Sequence, residues 1–210
     1  ETYPTALGQK TGVYCDQREN RKRVAQLCAN KRVLDLCCFT GGFSLNAARA
    51  GAVNVTAVDS SGAAIESCRS NAARNGLQHI SFVHSDITSF LQATVERFDV
   101  VVLDPPKLAP SAKFLDKANR KYHGLNRDAI AVIDDVRGGL LLTCTCSAAM
   151  TQAEGGAYFL KMVQGAALAA GRHVTLVEVS GAAPCHTESP MAFPAGTYLT
   201  AALFFVHPKT

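Results

Sequence analysis

Asp35-Leu36-Cys37-Cys38-Phe39-Thr40-Gly41-Gly42-Phe43 closes an apolar run that begins at Val33 and opens a helical one carrying Phe43, Leu45, Ala47 and Ala48. A strand that turns into a helix through two glycines lets the backbone approach a ligand closely, because glycine has no Cβ to hold it off. A nucleotide-like ligand is the expectation. The spacing departs from the dinucleotide fingerprint G-x-G-x-x-G, since the positions five and three before Gly42 hold Cys37 and Phe39. A nicotinamide dehydrogenase is thereby disfavoured.

Outward from this turn, short β-rich runs alternate with helical stretches along the whole chain, with no internal repeat or long linker. Strands are expected at 33–38, 54–58, 80–83, 98–103, 139–146, 173–179 and 198–206. Runs that are apolar throughout, such as 100–103 and 140–142, read as buried on both faces, which a mostly parallel sheet flanked by helices requires. Asp16 with Glu19, and Thr151 with Glu154, form capping-box patterns ahead of apolar stripes. Asn75-Gly76 stops a helix through Ala64, Ile65, Cys68 and Ala72. A further helix is expected through Leu125, Ala129, Val132, Ile133 and Val136. No comparable helical segment lies in 181–196, so the last strand is expected to return antiparallel. The fold class is α/β: a Rossmann-like, doubly wound, seven-stranded sheet with a reversed last strand and helices on both faces.

The 210 residues are 48% hydrophobic and 18% charged, enough for one core and against disorder, collagen or coiled coil. No apolar run reaches the ~18 residues of a membrane helix, so the expectation is a soluble protein with no visible targeting segment and no membrane partner. Glu1 in place of Met reads as a processed or trimmed chain. The eight cysteines sit within apolar patterns, without a Cys-x-x-Cys pair, so neither a disulfide framework nor a metal is expected. A reducing compartment, cytoplasm or organelle matrix, fits that usage. The net charge of +4 is local: residues 1–32 hold seven basic side chains against three acidic ones. A second excess, Lys107, Lys113, Lys117, Arg120, Lys121 and Arg127, has only Asp116 against it. Such clusters suit a polyanion, or are simply solvated faces.

Ligands of open α/β sheets lie outside the carboxyl ends of the strands. Asp59, Asp86 and Asp104 fall there, each after an expected strand. Asp59 can accept both hydroxyls of a ribose; singly, Asp59 and Asp86 read equally well as helix N-caps. Together, 35–43, Asp59, Asp86 and Asp104-Pro105-Pro106-Lys107 resemble the successive motifs of class I S-adenosylmethionine-dependent methyltransferases. More narrowly, Lys10-Thr11-Gly12-Val13-Tyr14-Cys15-Asp16-Gln17-Arg18-Glu19-Asn20, Phe39-Thr40-Gly41-Gly42-Phe43, Asp104-Pro105-Pro106-Lys107 and Thr143-Cys144-Thr145-Cys146-Ser147 resemble the bacterial large-subunit rRNA cytosine-C5 methyltransferases that carry a PUA domain. The resemblance implies S-adenosylmethionine as cofactor, cradled by Asp35, Cys37, Phe39, Thr40, Gly41 and Gly42. It implies ribose at Asp59 and Ser60, adenine near Asp86 and Ile87, and Asp104 and Pro105 beside the pocket. Asp16 to Arg21 would fold over that pocket, with Asp16, Gln17 and Arg18 touching the cofactor, so that 1–30 is an extension whose helix covers it and 31–210 is the catalytic domain.

Carbon 5 of cytosine is a poor nucleophile, and a thiolate added at carbon 6 makes it enamine-like. Cys144 and Cys146 both qualify by type and share a strand face; Cys146 lies nearer the carboxyl end, and the resemblance also places the nucleophile there. Its blander reading is a buried small hydrophobe. A basic neighbourhood would favour its thiolate. Asp104 can hydrogen-bond the ring at N3, and should then hold or share a proton. The base that takes the carbon-5 proton stays open between Asp104 and water. Lys107, Lys113, Arg120, Lys121 and Tyr122 are expected to grip and stack ribosomal RNA. Two other readings compete: a guanine-N7 rRNA methyltransferase that needs no thiol, and an RNA-binding assembly factor without turnover.

Overall fold

The apolar runs become the strands of one sheet. The computed structural model describes residues 13–186, 188, 189 and 191–209. Its strands β1 (Arg32–Leu36), β2 (Asn54–Asp59), β3 (Ile80–His84), β4 (Val100–Leu103), β5 (Gly139–Thr145), β6 (Val174–Ser180) and β7 (Thr200–Val206) stand in the order β3-β2-β1-β4-β5-β7-β6. The first five are parallel, and β7 runs antiparallel between β5 and β6. Every expected strand forms, with ends displaced by at most two residues. The sheet is Rossmann-like and its last strand is reversed, as the sequence pattern requires.

Helices α1 (Arg18–Ala25), α2 (Gly42–Arg49), α3 (Gly62–Arg74), α4 (Ile87–Ala93), α5 (Leu115–Ala131), α6 (Ala148–Gln152) and α7 (Ala157–Ala169) cover it. Alternation along each strand sorts them into two layers. Leu34, Leu36, Val101, Leu103 and Leu141 pack with Leu91 of α4, Leu125 and Ile130 of α5, and Phe159 and Val163 of α7. Val33, Val100, Val102, Leu142 and Cys144 face the other way, against Val24 of α1 and Phe43 and Ala47 of α2. Ala57 of β2 meets Ile65 and Cys68 of α3. By the same alternation, Asp35 follows Val33 and Asp104 follows Val102 onto the α1–α2 side.

Three local expectations fail, the first two to long-range contacts. Asp16 does not cap α1, which starts after a 3-10 turn at Cys15–Gln17 with no side-chain cap. Its Oδ2 accepts from the Tyr198 hydroxyl at 2.7 Å instead. Thr151 does not cap α7, whose N-cap is Gly156 at φ 95°; its hydroxyl donates to the Tyr198 carbonyl at 3.0 Å. Helix α5 starts at Leu115, so the basic stretch is helical, and it stops at Ala131, leaving Val136 84% exposed. Asn75-Gly76 does end α3, with Gly76 at φ 62° and its N–H donating to the Ala73 carbonyl. Lys10, and with it the start of the Lys10–Asn20 motif, lies outside the described residues.

Candidate active site

The turn after β1 is conformationally strained. Cys37 and Phe39 adopt φ 63° and 50°, in the left-handed region that non-glycine residues avoid, and Gly41 adopts φ 91°. Such conformations persist where surrounding contacts over-determine them. At Phe39 the contact is visible: its N–H, turned outward, donates to Asp59 Oδ2 at 2.9 Å. Asp59 Oδ1 accepts from Ser61 N–H at 2.9 Å, while Ser61 itself caps α3. Asp59 is therefore a tie between the turns after β1 and β2, not a cap. Asp86 is a cap, its Oδ1 accepting from Thr88 and Ser89 N–H at 2.9 and 3.1 Å; its side of the pocket is exposed. Ser60 is exposed beside it, Thr40 is half-buried, and Ile87 is buried under α4. A side chain at Gly41 would meet Cys68 Sγ at 2.5 Å, and one at Gly42 would collide with the Arg21 guanidinium.

Asp35 is fully buried and holds the start of α2: Oδ2 accepts from Ser44 N–H at 2.9 Å and from its hydroxyl at 2.6 Å. Its Oδ1 is buried with no partner among the described residues, and so is Arg21 Nε. Burial pushes Asp35 up to about 6, against the pull of the Ser44 bonds and the Arg21 charge. A buried acceptor and a buried donor left unmatched are costly, and together they mark a place where a ligand group fits.

Asp104 leaves β4 beside them. Gln17 Nε2 donates to its Oδ1 at 3.1 Å, and Gln17 Oε1 accepts from Asn20 Nδ2 at 2.6 Å. Burial and then the Asp35 charge raise Asp104 to about 7, opposed by Arg21 and the Gln17 bond. A carboxyl raised that far can hold a proton near neutral pH. Cys146, half-buried at the end of β5, is pushed up to about 11, first by burial and then by Asp104, with Asp16 adding and Lys107 only partly offsetting. Its surroundings are thus acidic and not basic, which corrects the expectation of a thiolate favoured by cations. Cys144 is fully buried and its thiol is pushed well up by burial.

Of the expected pocket residues, Asp16, Gln17, Asp35, Cys37, Phe39, Gly41, Gly42, Asp59, Asp104 and Pro105 gather at this end of the sheet. Arg18 does not: it is exposed and pairs with Glu19 at 3.0 Å. The cation in contact with the pocket is Arg21, one turn later, stacked at 5.8 Å from the Phe43 ring. It lies within the 16–21 stretch that the resemblance folds over the pocket, although the resemblance assigns the cofactor contact to Arg18. Lys107, Lys113, Arg120 and Lys121 are exposed. Tyr122 is not available to a base: it is fully buried, its hydroxyl is 2.9 Å from Thr145 Oγ1, and its ring meets Phe159 edge-on at 5.8 Å. The early start of α5 turns that position inward. Also missed was Tyr198, whose hydroxyl donates to Asp16 across 182 residues; Asn20, at the end of the Lys10–Asn20 motif, bonds both Gln17 and the Gly181 carbonyl. Among the described residues no group of three or more His, Cys, Asp or Glu is placed to hold a metal, and no helix is long and apolar enough to cross a membrane. All eight cysteines are free thiols.

Comparison with known proteins bears on this geometry. Ribosomal RNA large subunit methyltransferase I of Aeromonas hydrophila subsp. hydrophila is 42% identical over 197 residues, 91% of this chain and 48% of that protein. Its namesake in Shewanella denitrificans is 41% identical over the same shares. The chain spans about half the length of these curated relatives. Among solved structures, SMU.776, crystallised with SAH, superposes with a TM-score of 0.80 at 22% identity, over 94% of this chain and 51% of that one. Trm5b of Pyrococcus abyssi does so with a TM-score of 0.67 at 19% identity, over 97% and 52%. Those two likenesses show the fold. A family model described as a methyltransferase domain matches residues 27–159, and with the turn, acids and sheet order above, the chain belongs to that methyltransferase-domain family.

Proposed function

We propose that this chain is the catalytic part of an S-adenosylmethionine-dependent enzyme forming 5-methylcytosine in large-subunit ribosomal RNA. The residues fit the cofactor on observations of the site itself. Its amino-acid end is a zwitterion, and the two orphaned buried atoms, Asp35 Oδ1 and Arg21 Nε, are an acceptor for an ammonium and a donor for a carboxylate. The Gly41-Gly42 backbone leaves the approach open, with Cys37, Phe39 and Thr40 completing the cradle. Asp59, each of whose oxygens keeps a second lone pair, is assigned to the ribose with Ser60, and Asp86 and Ile87 to the adenine. When bound, the cofactor supplies an electrophilic methyl group. The share of the chain in its relatives' names, rRNA and large subunit, supports the substrate.

The chain's own residues would act as follows. Cys146 gives its proton to solvent water and its sulfur bonds to carbon 6, while neutral Asp104 gives its proton to N3, so that carbon 5 gains the electron density to take the methyl group. A water then takes the carbon-5 proton, the carbon 6–sulfur bond breaks to release the Cys146 thiolate, and N3 returns its proton to Asp104. The acid and the thiol are matched: the Asp104 charge that holds the thiol protonated disappears once Asp104 carries a proton. Exposed Lys107, Lys113, Arg120 and Lys121 are assigned to phosphates. The observation that carries this reading is the electrostatic pairing of Cys146 with Asp104 at the carboxyl ends of β5 and β4, beside the orphaned atoms.

An RNA with 5-fluorocytosine at the target cannot lose its carbon-5 substituent as a proton, so it should trap a covalent, cofactor-dependent adduct. Cys146→Ala should abolish the adduct and lower methyl transfer by more than about 10⁴-fold. Methylation retained in that variant, or a methylated purine on nucleoside analysis, would overturn the assignment in favour of guanine N7.

A further inference from the structure

Three amide and hydroxyl side chains form a chain of hydrogen bonds whose direction is fixed from its far end. Ser180 Oγ donates to Asn20 Oδ1 at 2.7 Å, Asn20 Nδ2 donates to the Gly181 carbonyl at 3.2 Å and to Gln17 Oε1 at 2.6 Å, and Gln17 Nε2 donates to Asp104 Oδ1 at 3.1 Å. A backbone carbonyl only accepts, so the Asn20 atom facing Gly181 is its nitrogen. That nitrogen also faces Gln17, so the Gln17 atom there is the oxygen. The remaining Gln17 atom, the one on Asp104, is then a donor and nothing else. Asn20 and Gln17 are both buried, 4% and 3% exposed, so water does not scramble the arrangement.

We infer that Gln17 and Asn20 are positioning residues which keep Oδ1 of Asp104 an acceptor and thereby make Oδ2 its proton-bearing oxygen, selecting a pyrimidine with an unprotonated N3. Cytosine offers a lone pair at N3 and uracil an N–H, so a hydroxyl at Oδ2 donates to the first and is opposed by the second. The inference rests on the cytosine reading for its specificity, and on the hydrogen bonds alone for the placement of the proton.

The other groups facing Asp104 do not account for this. Asp35, Asp16 and Arg21 act on it through charge and stay in place when the relay is altered. Tyr14, Cys37 and Tyr122, and the thiols of Cys144 and Cys146, also face it, and burial pushes each of them up, so all are neutral near pH 7. Since Gln17 donates to the carboxylate, its removal should raise the Asp104 midpoint from about 7.

The experiment follows the carboxyl carbons of ¹³C-aspartate-labelled protein through a pH titration, with Asp104→Asn assigning the signal. Gln17→Met should raise the Asp104 midpoint by about one unit, since it removes one donor to a charged group. Asn20→Leu touches no atom bonded to Asp104 and adds no charge, yet it cannot donate to Gln17 Oε1; the Gln17 amide is freed to turn over, and the midpoint should rise by up to about one unit. A cooperative thermal unfolding transition followed by circular dichroism shows that each variant is folded. With rRNA lacking the modification as substrate, the alkaline limb of kcat should move up by the same interval as the Asp104 midpoint in each variant. Midpoints that stay at the wild-type value in both folded variants overturn the relay even where the wild type methylates cytosine. Midpoints that move in a wild-type background that leaves cytosine unmodified uphold the proton placement and overturn the specificity assigned to it.

Discussion

The two ends of the sheet both hold acids and treat them in opposite ways. At the amino end, Asp99 takes Arg32 N–H and Arg137 at 2.8 and 2.7 Å, Asp134 takes Arg32 and Arg137 at 3.1 and 3.0 Å, and Asp135 takes Arg97, Arg172 and Lys209. Backbone and side-chain bonds from Arg137 hold Asp134 well below the usual carboxylate range. At the carboxyl end, Asp35 and Asp104 share the single Arg21 charge, and burial moves both upward. Paired acids secure the fold; poorly paired, buried ones keep a proton within reach at neutral pH and set up chemistry. The amino end lies where the strands begin and α-layer turns must be tied down. The carboxyl end is where a ligand can supply the missing partners.

The largest effect that would break this contrast lies at the amino end. Arg172 is 1% exposed and donates to the carbonyls of His207, Ile133 and Asp134 at 2.8, 3.2 and 3.0 Å as well as to Asp135. Arg172→Met keeps the packing but leaves three carbonyls without their donor, one of them buried and two part-buried, so denaturant unfolding should show a loss of about 2 to 4 kcal/mol, with SAH affinity in the remaining folded protein unchanged. A loss below 1 kcal/mol would mean that the amino end is no more structural than the other.

A pair of charge-neutral substitutions sharpens the contrast by sign. Asp104 has a raised pKa when folded, so the folded protein binds more protons than the unfolded one between about pH 4 and 7, and its charge subtracts stability as pH rises through that window. Asp104→Asn keeps the oxygen that Gln17 uses, so at pH 8 it should stabilise by about 2 kcal/mol, and at pH 4 change little. Asp134 has a lowered pKa, which adds stability above about pH 4 that is lost as pH falls through the lower folded value. Asp134→Asn should therefore destabilise at pH 8, with the penalty fading toward acid. Urea midpoints at the two pH values read both; the same sign for both variants would refute the distinction.

What the sequence made legible follows the range of the interactions. Strand positions rest on apolar runs that any sheet would bury, and all seven were readable; so was the tight turn at Gly41-Gly42, because glycine is demanded by close approach. Asp16 was misread because its local partner, a helix end, lost to Tyr198, 182 residues on. Tyr122 was misread because the basic residues around it looked like an exposed surface, while their helix turns every third or fourth position onto Thr145 and Phe159. Cys146 was placed correctly at the carboxyl end of β5, one residue past its last, yet the sign of its electrostatic surroundings came from Asp104 and Asp16, on other elements. Residue type and spacing reveal which groups reach the end of the sheet. They do not reveal which of them face one another there.

The smallest expected effect tests that last point at two arginines on one helix. Arg18 stands in the motif that the resemblance assigns to the cofactor, but its side chain is 59% exposed and engaged with Glu19, an ion pair worth about 0 to 1 kcal/mol. Arg21 is three residues on, its Nε sealed from water beside Gly42 and without a partner. A donor already desolvated gains most of the strength of a charge-assisted hydrogen bond when a carboxylate arrives, whereas an exposed one exchanges water for ligand at little gain. Arg18→Ala should thus change SAH affinity by less than about twofold, while Arg21→Met, which keeps the stem over Phe43, should weaken it by about tenfold or more. Calorimetric titration with SAH at two salt concentrations measures both. Equal losses in the two variants would return the cofactor contact to Arg18 and place the buried guanidinium among the parts that only hold α1 against α2.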